Sequence, residues 1–226
     1  MIFLSDIIKD EKYPEYKEFY RLLTEENKKY NLTAILDETE FFIKNICDSI
    51  EVDSLYFSGA DIIEIGSGGG FPSVPLKIKR SDLKFTLVEA NQKKTEFLKN
   101  VANTFNFENF NCISARAEEL SKNADHREKY DYAIARAVAP LNVLCELLLP
   151  FLKVGGYMVA YKGQNYSEEL SAAEFAIKAL GGKAENTINY SLDKDMGERA
   201  LVIVKKIATT DEKYPRIFNQ IKKKPL

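Results

Sequence analysis

The sequence predicts an α/β domain, a mostly parallel seven-stranded sheet flanked by helices, behind an N-terminal helical extension. Three observations predict it. Helical periodicity holds to about residue 57; from Asp61 onward short apolar runs alternate with helical segments; and the first of those runs ends in a cluster of glycines. Strand–helix alternation implies parallel strands joined by crossover helices that cover both faces. The expected division is a helical extension over 1–57, a ligand-binding domain over 58–207 and a basic tail over 208–226.

In the extension, Phe19, Leu22 and Leu23 recur at helical spacing within 16–30, and Phe41, Phe42, Ile46 and Ile50 do so within 38–50. Tyr30-Asn31-Leu32-Thr33 reads as the linker between these two helices. Strands are expected over 61–65, 84–89, 109–114, 130–135, 157–161, 185–190 and 199–205. Helices are expected over 92–106, 141–152 and 167–180, the last closed by Gly181-Gly182, where a chain ends a helix through positive φ. Gly155-Gly156 reads as a tight turn into the fifth strand.

Composition narrows the chemistry. Hydrophobic residues make up 45% and charged residues 29%, the balance of a globular chain with one ordinary core. Residues 1–12 interleave apolar side chains with Asp6, Lys9, Asp10 and Glu11, and nowhere do about 18 apolar residues follow one another. A cytoplasmic location without a membrane partner is therefore expected, and a monomer. Cys47, Cys112 and Cys145 are odd in number, far apart and form no CxxC pair, so neither a disulfide framework nor a zinc site is expected, nor any other metal. His126, the only histidine, lies in a polar stretch and reads as a solvated surface residue. The net charge is −2, yet from Arg199 onward lysines and arginines dominate. That pattern fits either a local anion-binding surface or a solubilising, frayed end.

The most informative segment is Glu64-Ile65-Gly66-Ser67-Gly68-Gly69-Gly70-Phe71-Pro72. Closely spaced glycines after a strand let the backbone pass beneath a ligand. In the G-x-G-x-x-G loop of nicotinamide enzymes the third glycine permits close helix packing, and Phe71 stands there instead. Gly66, Gly68 and Gly70, with Glu64 upstream, follow the E-x-G-x-G-x-G pattern of Rossmann-like class I methyltransferases, which bind S-adenosyl-L-methionine. Glu89 ends the second strand, where a carboxylate can accept hydrogen bonds from both ribose hydroxyls. Ala117 and Glu118 follow the third strand, where backbone and acid can meet the adenine. Arg136 ends the fourth strand, and a cation at that edge faces the binding crevice.

The residues after the fourth strand, Ala135-Arg136-Ala137-Val138-Ala139-Pro140, contain no Asn/Asp-Pro-Pro-aromatic turn for an exocyclic nitrogen. No Pro-Cys dipeptide supplies a nucleophile for pyrimidine C5. A ring nitrogen such as guanine N7 needs neither device, because its lone pair is free and alignment suffices. Tyr30–Thr33, Asp48-Ser49-Ile50, Glu64–Pro72, Ala115–Glu118, Ala135–Ala137, Lys162-Gly163, Gly197-Glu198-Arg199 and Lys213-Tyr214-Pro215-Arg216 fall in one order along nearly the whole chain. Together they closely resemble the bacterial 16S ribosomal RNA guanine-N7 methyltransferases, the glucose-inhibited division protein B family. The resemblance implies methylation of N7 of one guanine in the 530 loop of 16S ribosomal RNA, in free RNA or in the small subunit. It implies that Gly66 and Phe71 line the cofactor loop, that Ala117 and Glu118 hold the adenine, and that Arg136 sits at the methionine end or reaches RNA. Lys162, Arg199 and Arg216 become candidates for RNA contact. Two positions depart from the family: Asn45 stands where a histidine is usual, and the tail after Arg216 reads Ile217-Phe218-Asn219-Gln220 rather than a Gly/Pro-containing stretch. The competing readings are a small-molecule methyltransferase, a catalytically idle ribosome-binding protein on the same fold and, by glycine count alone, a dehydrogenase.

Overall fold

The structure, a computed structural model, describes residues 2–226. Helices α1 (Leu4–Lys9) and α2 (Tyr13–Asn27) open the chain. Pro14 lies in the first turn of α2, where a missing N–H costs no hydrogen bond. Tyr16, Phe19 and Leu23 form the buried stripe of this helix. Helix α3 (Glu38–Phe41) is capped by the Asp37 carboxylate, which accepts from Glu40 N at 2.9 Å. It runs through a π-helical stretch, Phe42–Cys47, into α4 (Asp48–Ile50). The helix expected over 38–50 is therefore present, with its pitch widened in the middle. Such widened turns recur at functional sites.

From Asp61 the chain alternates strands and helices. They are β1 (Asp61–Ile65), α5 (Ser73–Lys79), β2 (Lys84–Glu89), α6 (Gln92–Thr104), β3 (Phe110–Ser114), α7 (Ala117–Leu120), β4 (Tyr130–Arg136), α8 (Leu141–Leu148), β5 (Leu152–Lys162), α9 (Tyr166–Ala179), β6 (Gly182–Ala184), β7 (Ile188–Ser191) and β8 (Glu198–Lys206). The sheet order is β3-β2-β1-β4-β5-β8-β6, with β7 also on β8. Strands β1 to β5 pair in parallel, whereas β8 runs antiparallel to β5, β6 and β7. The chain reverses sides between β1 and β4, which opens a crevice at the carboxyl ends of these strands.

Three local differences from expectation have physical causes. The strand expected over 185–190 is split: Gly182–Ala184 pairs with 204–206 of β8 and Ile188–Ser191 with 198–201, so one edge position is filled in two pieces. Gly155-Gly156 makes no turn before β5 but lies inside it, where the pairing with β4 shifts register between Tyr130 and Tyr132. A Cβ on Gly156 would meet Asp131 O at 2.8 Å, so only glycine lets the two backbones approach there. Helix α5 had no periodic signal, because Ser73, Val74, Pro75, Leu76, Lys77 and Ile78 are all buried and no polar face marks the turn.

The extension shares its core with the sheet. Phe19, Leu23, Phe41 and Ile46 cluster with Ile62, Phe85 and Leu87 on one face. Burying a phenylalanine or leucine fully stabilises by roughly 1.5–3 kcal/mol, enough to fasten a helical segment of this length to the sheet. The opposite face packs α8, α9 and the tail against Ala133, Ala135, Met158 and Val202. The tail is docked rather than frayed: helix α10 (Phe218–Lys223) buries Ile221, and Arg127 donates to Tyr214 O at 3.0 Å and Thr210 O at 2.8 Å. His126 is half-buried, not solvated, and its Nδ1 lies 2.7 Å from the Tyr130 hydroxyl. Among the described residues no helix is long and apolar enough to cross a membrane.

Candidate functional site

Strand β1 delivers the glycine loop to the crevice. Gly66 N donates to Val88 O at 2.8 Å and Gly70 N to Ser67 O at 2.7 Å, which folds the loop back over β2. Gly70 has φ +93°, and a Cβ there would meet Val74 Cγ2 at 2.6 Å and Leu98 Cδ2 at 3.1 Å. Its role is close packing against α5 and α6. Gly68, at φ +52°, is different: a Cβ would meet nothing nearer than Gly66 O at 3.8 Å, so this turn of backbone faces open space.

Glu89, half-buried at the end of β2, closes this loop. Its Oε2 accepts from Gly68 N at 3.0 Å and its Oε1 from Asn91 N at 2.8 Å. Each carboxylate oxygen has a second lone-pair direction left for a ligand hydroxyl. Ala115 N donates to Glu89 O at 3.2 Å, and this brings the start of α7 alongside. Ala117 and Glu118 there are 8% and 9% exposed. The glycine loop, Glu89 and Glu118, scattered in sequence, thus line one edge of the sheet.

Glu64 lies beneath the loop and is fully buried. Its Oε2 accepts from Ser73 N at 3.2 Å, while its Oε1 has no partner within the protein. Burial, offset in part by the Ser73 contacts and Arg136, pushes its carboxyl up to about 8, so it is protonated at neutral pH. A raised carboxyl pKa contributes stability that is full below the ordinary range near 4.5 and is lost as pH rises towards 8. Unfolding free energy of the wild type should therefore fall between those pH values. In Glu64→Gln that part of the decline should vanish; equal slopes for the two proteins in urea titrations would refute the assignment.

The ring of Phe71 is turned towards the helical extension. It packs on Phe19 at 5.3 Å and Phe41 at 5.7 Å between ring centroids, with the Arg136 guanidinium 5.5 Å above it. Arg136 in turn points into the extension: its Nη2 donates to Lys44 O at 2.9 Å and Asn45 Oδ1 at 2.5 Å, and its Nη1 lies 3.1 Å from Asp48 Oδ2. Asn45 thereby has a partner, which sequence reasoning could not assign. Beyond Arg136, Ala137 adopts φ +56° and Val138 folds over Gly66, whose added Cβ would lie 2.7 Å from Val138 Cγ2.

The remaining cations fare unequally. Lys162 Nζ donates to Ala139 O at 2.8 Å and Glu169 Oε2 at 2.6 Å, holding the loop after β4. Arg216 is paired with the buried Glu146. Both are tied to glutamates within the fold. Arg199 stays one-quarter exposed near the crevice, its Nε 3.7 Å from Asp48 Oδ1. Asp48 and Tyr190, which bonds to it at 2.7 Å, join this cluster and were missed by sequence reasoning; the Asp-Ser-Ile motif was the only signal, and it named no role.

These residues fit S-adenosylmethionine. The open arc at Gly68 leaves room for backbone to pass under an uncharged chain, Glu89 suits a ribose diol, and the third-glycine position that a dinucleotide pyrophosphate needs is a phenylalanine.

Known proteins share this fold. A Streptococcus thermophilus rRNA methylase superposes with TM-score 0.50 over 71% of this chain and 95% of its own, at 18% identity. A SAM-dependent methyltransferase from Aquifex aeolicus superposes with TM-score 0.58 over 82% of this chain and 98% of its own, at 11% identity. At such identities the likeness shows the fold alone. In sequence, the ribosomal RNA small subunit methyltransferase G of Clostridium botulinum (strain Loch Maree / Type A3) is 42% identical over 96% of this chain and 92% of its own. That of Brevibacillus brevis is 43% identical over the same shares. The model of the family described as rRNA small subunit methyltransferase G matches residues 12–200, and with this the chain belongs to that family.

Proposed function

We propose that this protein transfers the methyl group of S-adenosylmethionine to N7 of one guanine in the RNA of the small ribosomal subunit. The observation that carries the cofactor assignment is the Glu89 carboxylate, which braces the open arc of the glycine loop while keeping acceptor capacity for a ribose. The acceptor class follows from the relatives, whose shared name is ribosomal RNA small subunit methyltransferase G. The position, the 530 loop, follows from the motif resemblance.

When bound, the cofactor supplies an electrophilic methyl on a sulfonium. Glu89 would hold the ribose, Ala117 and Glu118 the adenine edge, and the backbone of Gly66 to Gly68 the chain between them. Guanine N7 has no proton to lose, so no side chain is needed as general base. The protein's part is alignment and exclusion of water, to which Val138 contributes by closing over Gly66. Lys93 and Arg116, exposed at the starts of α6 and α7, and Arg199 at the start of β8 would be available to meet phosphates around the target base. Presenting the base in the pocket costs a few kcal/mol, which stacking and phosphate contacts offset.

The test is label transfer from radiolabelled S-adenosylmethionine in the presence of small subunits lacking the mark and of an extracted small-molecule pool. Label in RNA, with binding that weakens steeply with salt, is the expected result. Label only in small molecules would overturn the RNA reading, and no cofactor binding at all would overturn the enzyme.

A further inference from the structure

Asp48 is a charged group enclosed almost completely beside the crevice, at 1% exposure, and it comes from the helical extension rather than from the sheet. Its Oδ2 lies 3.1 Å from Arg136 Nη1 at the end of β4. Its Oδ1 accepts from the Tyr190 hydroxyl of β7 at 2.7 Å and lies 3.7 Å from Arg199 Nε of β8. One carboxylate thus reaches three strands, β4, β7 and β8, and stands between two arginines. Burial, then the neighbouring Asp48, raise the Tyr190 hydroxyl far above its usual value, so it stays a donor.

The two arginines are held differently. Arg136 has further fixed acceptors in Lys44 O and Asn45 Oδ1 and a ring beneath it. Apart from Asp48, Arg199 has the neighbouring carbonyl of Glu198, to which Nη1 donates at 3.0 Å, and remains one-quarter exposed. With the carboxylate removed, two guanidinium groups would share a poorly solvated space with no anion between them, and repulsion would swing the less anchored one away.

We propose that Asp48 is a positioning residue for methyl transfer: it sets the orientation of Arg199 towards an RNA phosphate and uses Arg136 as the fixed half of the clamp. This rests on the RNA-methylating function proposed above. It also gives the extension a task beyond covering the sheet, because the anion that orders the crevice cations is delivered by α4.

The test is a double-mutant cycle on the full chain with Asp48→Asn, which preserves size and an acceptor for Tyr190, and Arg199→Gln. Methylation of small subunits gives kcat and KM, and calorimetry with S-adenosylmethionine gives cofactor affinity. Asp48→Asn should lower kcat/KM for subunits by on the order of 30-fold, while cofactor Kd stays within about threefold, the pattern for a lost RNA contact. The double variant should be no worse than the weaker single one by more than about twofold, because both remove the same contact. Wild-type kcat/KM in Asp48→Asn, or losses that multiply in the double variant, would overturn the proposal. A wild-type protein that binds cofactor yet labels no subunit would overturn the RNA reading and this role with it. Should Asp48→Asn melt out, Tyr190→Phe paired with Arg199→Lys makes the same cycle without an unpaired buried charge; a smaller loss, again non-multiplicative, is expected, and multiplying losses would refute it.

Discussion

Replacing Arg216 by alanine should lower the free energy of unfolding by about 3–5 kcal/mol, the range for stripping a buried charge of its partner. Glu146, on α8, is fully buried in the core of one sheet face. Its Oε1 accepts from Arg216 N at 2.8 Å and Nε at 2.9 Å, and its Oε2 accepts from Nη2 at 2.6 Å. Alanine would leave only the backbone donor. The carboxylate would then have to protonate, recruit water or move outward, and each costs free energy. Urea unfolding should show the shift in midpoint with an unchanged slope. The pair Glu146→Leu with Arg216→Met should recover much of the loss, since a hydrophobic pair of similar volume replaces the charges without an unmet one. A drop below about 0.5 kcal/mol in Arg216→Ala would place the arginine among surface ion pairs of little consequence, against the geometry.

Glu89→Gln should weaken S-adenosylmethionine binding by on the order of 100-fold while leaving the fold intact, because hydrogen bonds to a charged acceptor are worth about 1.5–3 kcal/mol each. The reason lies in the two backbone donors already on the carboxylate. Gly68 N and Asn91 N point at different oxygens, so a glutamine must turn its amide NH2 towards one of them in either flip state. The loop loses its brace or the turn into α6 loses its anchor, and one acceptor for a ribose hydroxyl disappears as well. Calorimetric titration checks this; an unchanged Kd would remove Glu89 from the cofactor site.

How much of this was legible in the residues differs by level. The parallel strands β1, β2 and β4 announce themselves as short apolar runs that are largely buried, and the runs 61–65 and 84–89 coincide with the observed strands. Helix α5 escaped notice because it is buried on every side and contains Pro75, so neither periodicity nor composition marks it. The split of the edge strand escaped because β6 and β7 depend on β8, which follows them in the chain. At the site, the glycine loop and Glu89 could be read because they are ends of consecutive strands in a known topology. The Asp48–Tyr190 bond spans 142 positions, and no local pattern encodes such a pair. Positive charge by itself does not announce its partner: Lys162 and Arg216 look like anion ligands in sequence, and in the fold each is fastened to a glutamate that no local pattern points to.

Methylation of one ring nitrogen in small-subunit RNA is decided by mapping the methylated base. Small subunits lacking the mark would be incubated with the protein and S-adenosylmethionine, and the RNA digested for mass spectrometry. One new methyl group is expected, at N7 of a single guanine in the 530 loop. A methyl at another atom, methyls spread over many bases, or cofactor binding with unmodified RNA would contradict it.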